Sequence, residues 1–271
     1  MINYAAAAVL AVALHLLVSL SIRRFKWRME NFKGDTIPHV FGLYIVTWGA
    51  VGAGISHFLP FGSHPAATLY LIAILGFGLL GLLDDLLGSR NVGGFGGHFK
   101  KLLLEGKLTT GVVKALGGGL LAVYLAYRTS DGLIWRWVLD AALIALAANT
   151  INLLDLRPGR ALFLFFLGLA PVAAIKCGIF AAPIAILAAS AAAGGVSYYD
   201  VRGRAMLGDV GSNTLGAVLG LTFALEAGLA GKIAVVAIFM LINVYSERRS
   251  ISKLIERNPV LGYIDSKLGV R

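Results

Sequence analysis

At 271 residues the chain has the length of one large soluble domain, yet Ala, Val, Ile, Leu, Met, Phe, Trp, Tyr and Cys make up 58% of it and Asp, Glu, Lys and Arg only 14%. Soluble chains average about 45–50% apolar and about 25% charged, so too few polar side chains remain here to cover a water-facing surface. Composition predicts an integral membrane protein, and the single cysteine, Cys177, excludes a disulfide scaffold.

A spanning helix needs about 20 mostly apolar residues. The candidates, in chain order, are 3–22, 39–59, 66–83, 110–127, 134–151, 161–177, 179–197, 211–230 and 232–247. Short connections between them predict an all-α, polytopic membrane helix bundle of about nine transmembrane helices. The basic run Arg23, Arg24, Lys26, Arg28 follows the first segment, the reverse of the charge order of a cleaved signal peptide. Basic flanks stay in the cytoplasm, which puts the N-terminus outside and the C-terminus inside, in a multi-pass protein of the inner (plasma) membrane. With that orientation 20 of the 24 Lys and Arg residues fall on the cytoplasmic side. The net charge of +10 is then topology bias plus attraction to an anionic leaflet, with no nucleic-acid partner. Eleven of the 14 acids fall on the same side. The positive-inside rule does not account for acids, so chemistry on the cytoplasmic face is the reading they support.

Three acidic sites stand out in chain order. Asp84 and Asp85 close the third segment, where the helix dipole and their mutual repulsion both disfavour them; a divalent cation would relieve both, and a solvated helix end is the plain alternative. Asn149 and Asn152 share a helix face at the inner end of the fifth segment, with Asp155 following before Pro158-Gly159. Interhelical hydrogen bonds would account for the Asn residues equally well. Gly208-Asp209-Val-Gly211-Ser212-Asn213 opens the eighth segment, where exposed N–H groups would receive an anion and where Asp209 or Ser212 could cap the helix. Lys33, Arg90, Lys100, Lys101, Lys107, Lys114 and Arg204 surround these acids on the same side. Carboxylates among basic loops suit Mg²⁺ (or Mn²⁺) with phosphate. His15, His39, His57, His64 and His98 are scattered and offer no zinc site, and Gly93–Gly97 reads as a mobile loop.

Together these residues resemble the polyprenyl-phosphate N-acetylhexosamine-1-phosphate transferases, the family that includes the phospho-N-acetylmuramoyl-pentapeptide transferases of cell-wall biogenesis. Gly81-Leu-Leu-Asp84-Asp85 is similar to the family's Asp-Asp motif. Asn149-Thr-Ile-Asn152-Leu-Leu-Asp155 is similar to its Asn-x-x-Asn-x-x-Asp motif, and Met206-Leu-Gly208-Asp209-Val-Gly211-Ser212 to its Gly-Asp-x-Gly-Ser motif. Lys33-Gly-Asp-Thr-Ile-Pro38 with Gly42 is similar to the first cytoplasmic loop, so the resemblance runs from about residue 20 to residue 220.

The resemblance implies transfer of a sugar phosphate from a nucleotide sugar, UDP-linked in most of the family, to a polyprenyl phosphate, giving a lipid-linked diphosphate sugar and a nucleoside monophosphate. It implies Asp209, Asp84 and Asp85 as metal ligands and Asp84, Asp85, Asp155 and Asp209 as the catalytic carboxylates. Lys33, Asn149, Asn152, Lys114, Arg204 and Ser212 would then bind substrate, and a homodimer is compatible with this reading. The departures are specific. The family's Gly-Leu-Asp-Gly-Leu is here Leu156-Arg157-Pro158-Gly159-Arg160, and its His-rich last cytoplasmic loop is replaced by Glu247-Arg248-Arg249-Ser250.

The chain divides into a membrane-embedded transferase domain, 1–247, and a cytoplasmic amphipathic tail, 248–271. Ile251, Leu254, Ile255 and Leu261, Ile264, Leu268 recur at helical spacing around Pro259. The tail reads either as an interfacial anchor or as a cover over the site in which Arg248 and Arg249 meet the diphosphate. The rival functions are a non-catalytic paralogue that organises lipid-linked intermediates and, last, a transporter, whose intramembrane charges should line a midplane path.

Overall fold

The computed structural model describes residues 4–24, 27–57, 64–88, 109–130, 132–175 and 184–270. Arg90, the Gly93–Gly97 run, His98, Lys100, Lys101, Lys107 and Cys177 lie outside the described residues. Eleven helices are described: α1 (Tyr4–Arg24), α2 (Leu43–Ser56), α3 (His64–Leu87), α4 (Thr110–Thr129), α5 (Ile134–Leu154), α6 (Arg160–Ile175), α7 (Ile184–Asp200), α8 (Gly208–Glu226), α9 (Leu229–Arg248), α10 (Ile251–Arg257) and α11 (Pro259–Leu268). Among the described residues the protein is all-α apart from one hairpin, in a segment expected to be a loop. Its strands β1 (Arg28–Glu30) and β2 (Thr36–Pro38) pair antiparallel, with Met29 opposite Ile37. Three-residue strands are too short to show a period of two. The Asn31 side chain closes their turn by accepting from the Lys33 and Asp35 N–H groups at 2.8 and 2.9 Å.

Helices α1 to α9 lie on the nine expected segments, but among the described residues four are long and apolar enough to cross a membrane: α3 from Pro65, α4, α5 and α9. α2 has 14 residues, about 21 Å at 1.5 Å per residue, short of a hydrocarbon core of about 30 Å.

The centre of the bundle is α8. Fifteen successive residues, Val210–Ala224, are buried, enclosed chiefly by α3 and α5. A helix hydrophobic or neutral all round is a core helix, and its glycines set how closely its neighbours approach. A Cβ on Gly216 would lie 2.5 Å from the Ala147 carbonyl oxygen, and one on Gly220 2.7 Å from the Ile144 Cα. Gly42 and Gly211 meet main chain to main chain, as do Gly81 and Asp209.

α9 is held differently. Phe239 is its one buried residue among those described, and two polar clamps tie it to α5. The Lys232 ammonium reaches buried Asp140 at 2.8 Å, with the Thr129 hydroxyl on the other carboxylate oxygen at 3.3 Å. About two and a half turns further along α5, Asn149 donates to Asn243, which donates in turn to the Thr150 hydroxyl at 2.8 Å.

Candidate functional site

The ends of α3 and α5 and the starts of α2, α4 and α8 gather at one end of the bundle, opposite the Asp140–Lys232 pair. The antiparallel order of the helices carries Asp84, Asp85, Lys114, Asn152, Asp155, Asp209 and Ser212 to that end. Residues up to 125 positions apart in the chain therefore meet there.

Asp84 and Asp85, adjacent at the end of α3, are relieved in different ways. Asp85 turns onto the start of α8, where its two carboxylate oxygens accept the Asp209 and Val210 N–H groups, each at 2.9 Å. α8 has no side-chain cap of its own, so Asp85 supplies the anion that a helix N-terminus attracts. The anion site expected at Gly208–Ser212 is thus taken by a carboxylate of the protein, and neither Asp209 nor Ser212 caps the helix. A glycine is needed at 208: its φ is +70°, and a Cβ there would lie 2.7 Å from an Asp85 carboxylate oxygen. The ring Nε2 of His39 lies 3.3 Å from the Asp85 carbonyl oxygen and joins the loop after β2 to the same corner.

Asp84 points to Lys114, whose ammonium lies 2.7 Å from its carboxylate and also donates to Asp209. Three side chains from α3, α4 and α8 therefore share one charge centre, negative by one unit. Lys114 contributes more than a surface basic residue would, because it offsets the repulsion of two carboxylates that lie within hydrogen-bonding distance of each other.

Asn152 accepts from the Ser212 hydroxyl at 2.8 Å, joining the second motif to the third. Asn149 is engaged with Asn243, the interhelical bond anticipated as an alternative to a substrate role, although it also borders the cavity. Asp155 follows α5 and is half-buried. Burial raises its pKa well above the ordinary carboxylate value, and the nearby carboxylates of Asp200, Asp209 and Asp85 push the same way.

A cavity of about 380 Å³ opens beside this cluster. Asp84, Lys114, Asn149, Asn152, Asn213 and Glu247 form its polar part, and Phe77, Leu80 and the small residues of α4 and α5 belong to its apolar part.

Other expected residues stand apart. Lys33 is exposed at the hairpin turn with its ammonium 5.3 Å from the Phe32 ring centre, and Arg204 is exposed between α7 and α8. Arg248 and Arg249 are exposed at the end of α9 and are absent from the cavity lining, which takes Glu247 instead. The tail forms the two helices expected, α10 and α11, but only half of its apolar stripe is covered: Ile251, Ile255 and Leu268 are half-buried and Leu254, Leu261 and Ile264 exposed, while Asp265 is buried.

Asn243, Asp200 and Asp265 escape a reading of the sequence. Asn243 carried a usable signal, an amide inside an apolar run. Asp200 and Asp265 gave none, since a lone acid after a helix or in a charged tail is ordinary.

Among the described residues no three His, Cys, Asp or Glu side chains form a metal cage by themselves. Asp84 and Asp209 nevertheless converge on one cationic centre, and Mg²⁺ commonly takes one or two carboxylates together with phosphate oxygens and water. This donor set fits that ion better than it fits a structural metal with an all-protein shell. Neither models of known protein families nor curated protein sequences yield a match to the chain.

Proposed function

We propose that the protein transfers a sugar phosphate from a nucleotide-sugar donor to a polyprenyl phosphate at the cytoplasmic face of the membrane. The observation that carries this reading is the Asp84–Lys114–Asp209 cluster beside a cavity whose polar and apolar parts suit a phosphate on a hydrocarbon chain. A transporter would hold its charges along a path through the bundle; here Asp84, Asp85, Asp155 and Asp209 gather at one end, and Asp140 at the other end is neutralised by Lys232.

In this reaction an oxygen of the lipid phosphate attacks the sugar-linked phosphorus of the donor. The bond from that phosphorus to the bridging diphosphate oxygen breaks, and the nucleoside monophosphate leaves with the electron pair. Such transfers depend mainly on positioning and charge neutralisation. Mg²⁺, held by Asp84 and Asp209 with substrate oxygens, would neutralise the diphosphate. Lys114 contributes a positive charge on the same side. Asp85 fixes the start of α8 and with it the position of Asp209. Asn152 borders the cavity and is tied to the buried Ser212 hydroxyl, and Asp155, about one helical turn further along and outside the lining, would approach the donor once it is bound. Arg248 and Arg249 stand next in the chain to Glu247 but outside the cavity lining, and would meet a diphosphate only as it arrives from solvent.

The direct test incubates purified protein with polyprenyl phosphate, Mg²⁺ and a panel of nucleotide sugars. Release of UMP or another monophosphate, lost on Asp209→Asn, is the expected result. Release by no donor, with lipid-linked sugars still bound, would favour the non-catalytic reading.

The orientation has its own test. Lys33, Arg204 and Arg257 are expected on the cytoplasmic side, from the 20-to-4 distribution of basic residues. Single cysteines at these positions in a Cys177→Ser background should resist impermeant reagents in intact cells and react after lysis. Labelling of any one from outside would overturn the nine-span arrangement.

A further inference from the structure

We infer that the C-terminal helices brace the loop between α5 and α6, and that the Arg160–Asp265 pair is a positioning device for Asp155. The inference rests on the reading of Asp155 as a substrate-facing carboxylate.

The loop is short, Asp155 to Gly159, and without regular structure. Its conformation is fixed by partners distant in the sequence. The Arg157 guanidinium lies 4.6 Å from the Phe32 ring centre and 3.9 Å from Glu256 of α10. The Gly159 N–H donates to the buried Asp200 carboxylate at 2.7 Å. Arg160 donates through Nε and Nη2 to the two oxygens of Asp265 at 2.6 and 2.9 Å, and through Nη1 to Ser252 at 2.8 Å.

The tail touches the neighbouring turn as well. The Val270 N–H donates to the Val201 carbonyl at 2.9 Å. A Cβ on Gly269 would lie 3.0 Å from the carbonyl oxygens of both Pro158 and Val201. Gly159, with φ +82°, packs directly on the Leu268 main chain. The tail therefore holds the 155–160 loop and the 200–203 turn against each other, and Asp155 and Asp200 lie within each other's electrostatic reach.

The most deeply buried part of the contact is polar, while Ile251, Ile255 and Leu268 are half-buried beside it. Arg160 and Asp265 are 4% and 6% exposed, whereas Leu254, Leu261 and Ile264 of the tail face outward. A buried two-pronged Arg–carboxylate pair brings geometric definition more than net stability. Losing it should release the tail without hollowing the bundle core.

The test reads position directly. Asp155→Cys in a Cys177→Ser background is reacted with a maleimide in full-length protein in lipid nanodiscs. Asp265→Asn should speed labelling about tenfold, because a buried pair that loses one partner leaves a charge that must move to water. Combined exchange, Arg160→Asp with Asp265→Arg, should return the rate to within about threefold of the parent, as expected of an interaction between those two groups alone. Deleting 259–271 should match Asp265→Asn and decides the case if the point variant does not fold. An unchanged rate in both, or an exchange variant as fast as Asp265→Asn, would overturn the brace. With Asp155 intact, Asp265→Asn should lower kcat for transfer while leaving KM for the lipid unchanged, and the exchange should restore it; a change confined to KM would overturn the positioning role. A parent without transfer activity would sink the proposed reaction, while the labelling rates would still decide the brace.

Discussion

Lys114→Ala should reduce transfer by about a hundredfold or more, the loss typical when one preorganised charge-stabilising donor is removed from a reacting centre. Its ammonium is the cation between Asp84 and Asp209. Without it the two carboxylates, already within hydrogen-bonding distance of each other, lose their shared cation, and one must take up a proton or turn away. Lys114→Arg keeps the charge but replaces a compact ammonium with a planar fork. It should retain a fraction of the activity, since one fork cannot meet carboxylates from two different helices in the same geometry. Lys114→Met, nearly equal in volume, should behave as Lys114→Ala, which separates charge from packing. The measurement is kcat for monophosphate release at saturating lipid and donor. Lys114→Ala within about threefold of the parent would show that the bridge is a structural ion pair, since such pairs contribute little beyond stability.

The same cluster marks how far the sequence could be read. Asp84, Asp85 and Asp209 announced themselves because acids are costly at the ends of apolar helices. Their placement at one end followed from counting Lys and Arg. What the individual acids do was not legible. Asp85 is held by N–H groups 124 and 125 positions away, a relation with no sequence period. Asn149 shows the opposite case: its pairing with Asn243 was open to reading, because both amides interrupt apolar runs and each needs a partner inside the bundle. The tail was legible as two short helices hinged at Pro259, since its apolar spacing is local. Which face would dock was not, because the docking group is a single carboxylate whose partner lies 105 positions earlier. The segment boundaries came easily for α3 to α5, where apolar runs are long. They came less well at 39–59, where the chain forms the shorter helix α2 after a hairpin and a turn.

Gly42→Ala and Gly81→Ala should be among the most destabilising single-methyl changes at the described glycines. A Cβ on Gly42 would overlap the Gly211 main chain and come 2.7 Å from the Leu207 carbonyl oxygen. A Cβ on Gly81 would come 2.5 Å from the Asp209 carbonyl carbon and 2.6 Å from the Val210 nitrogen. In both places the obstacle is backbone, which cannot swing aside as a side chain can. The cost should sit at or above the upper end of the roughly 1–3 kcal/mol typical of overpacking. Gly54, Gly194 and Gly195 have open space around the same methyl. Alanine there removes a helix-interior glycine and should stabilise by up to about 1 kcal/mol. For a chain of this size 1 kcal/mol moves Tm by roughly 2–4 °C. Thermal unfolding in detergent should therefore place Gly42→Ala and Gly81→Ala about 6–12 °C below the parent, with Gly54→Ala at or above it. Both sensitive glycines lie where α2 and α3 cross the start of α8, the turn that presents Asp209 and receives Asp85. A methyl that forces these helices apart lengthens the Asp85 contacts to the Asp209 and Val210 N–H groups, so transfer should fall together with Tm. Gly42→Ala with an unchanged Tm would mean that the crossing can widen freely, and the fixed placement of Asp209 would then need another cause.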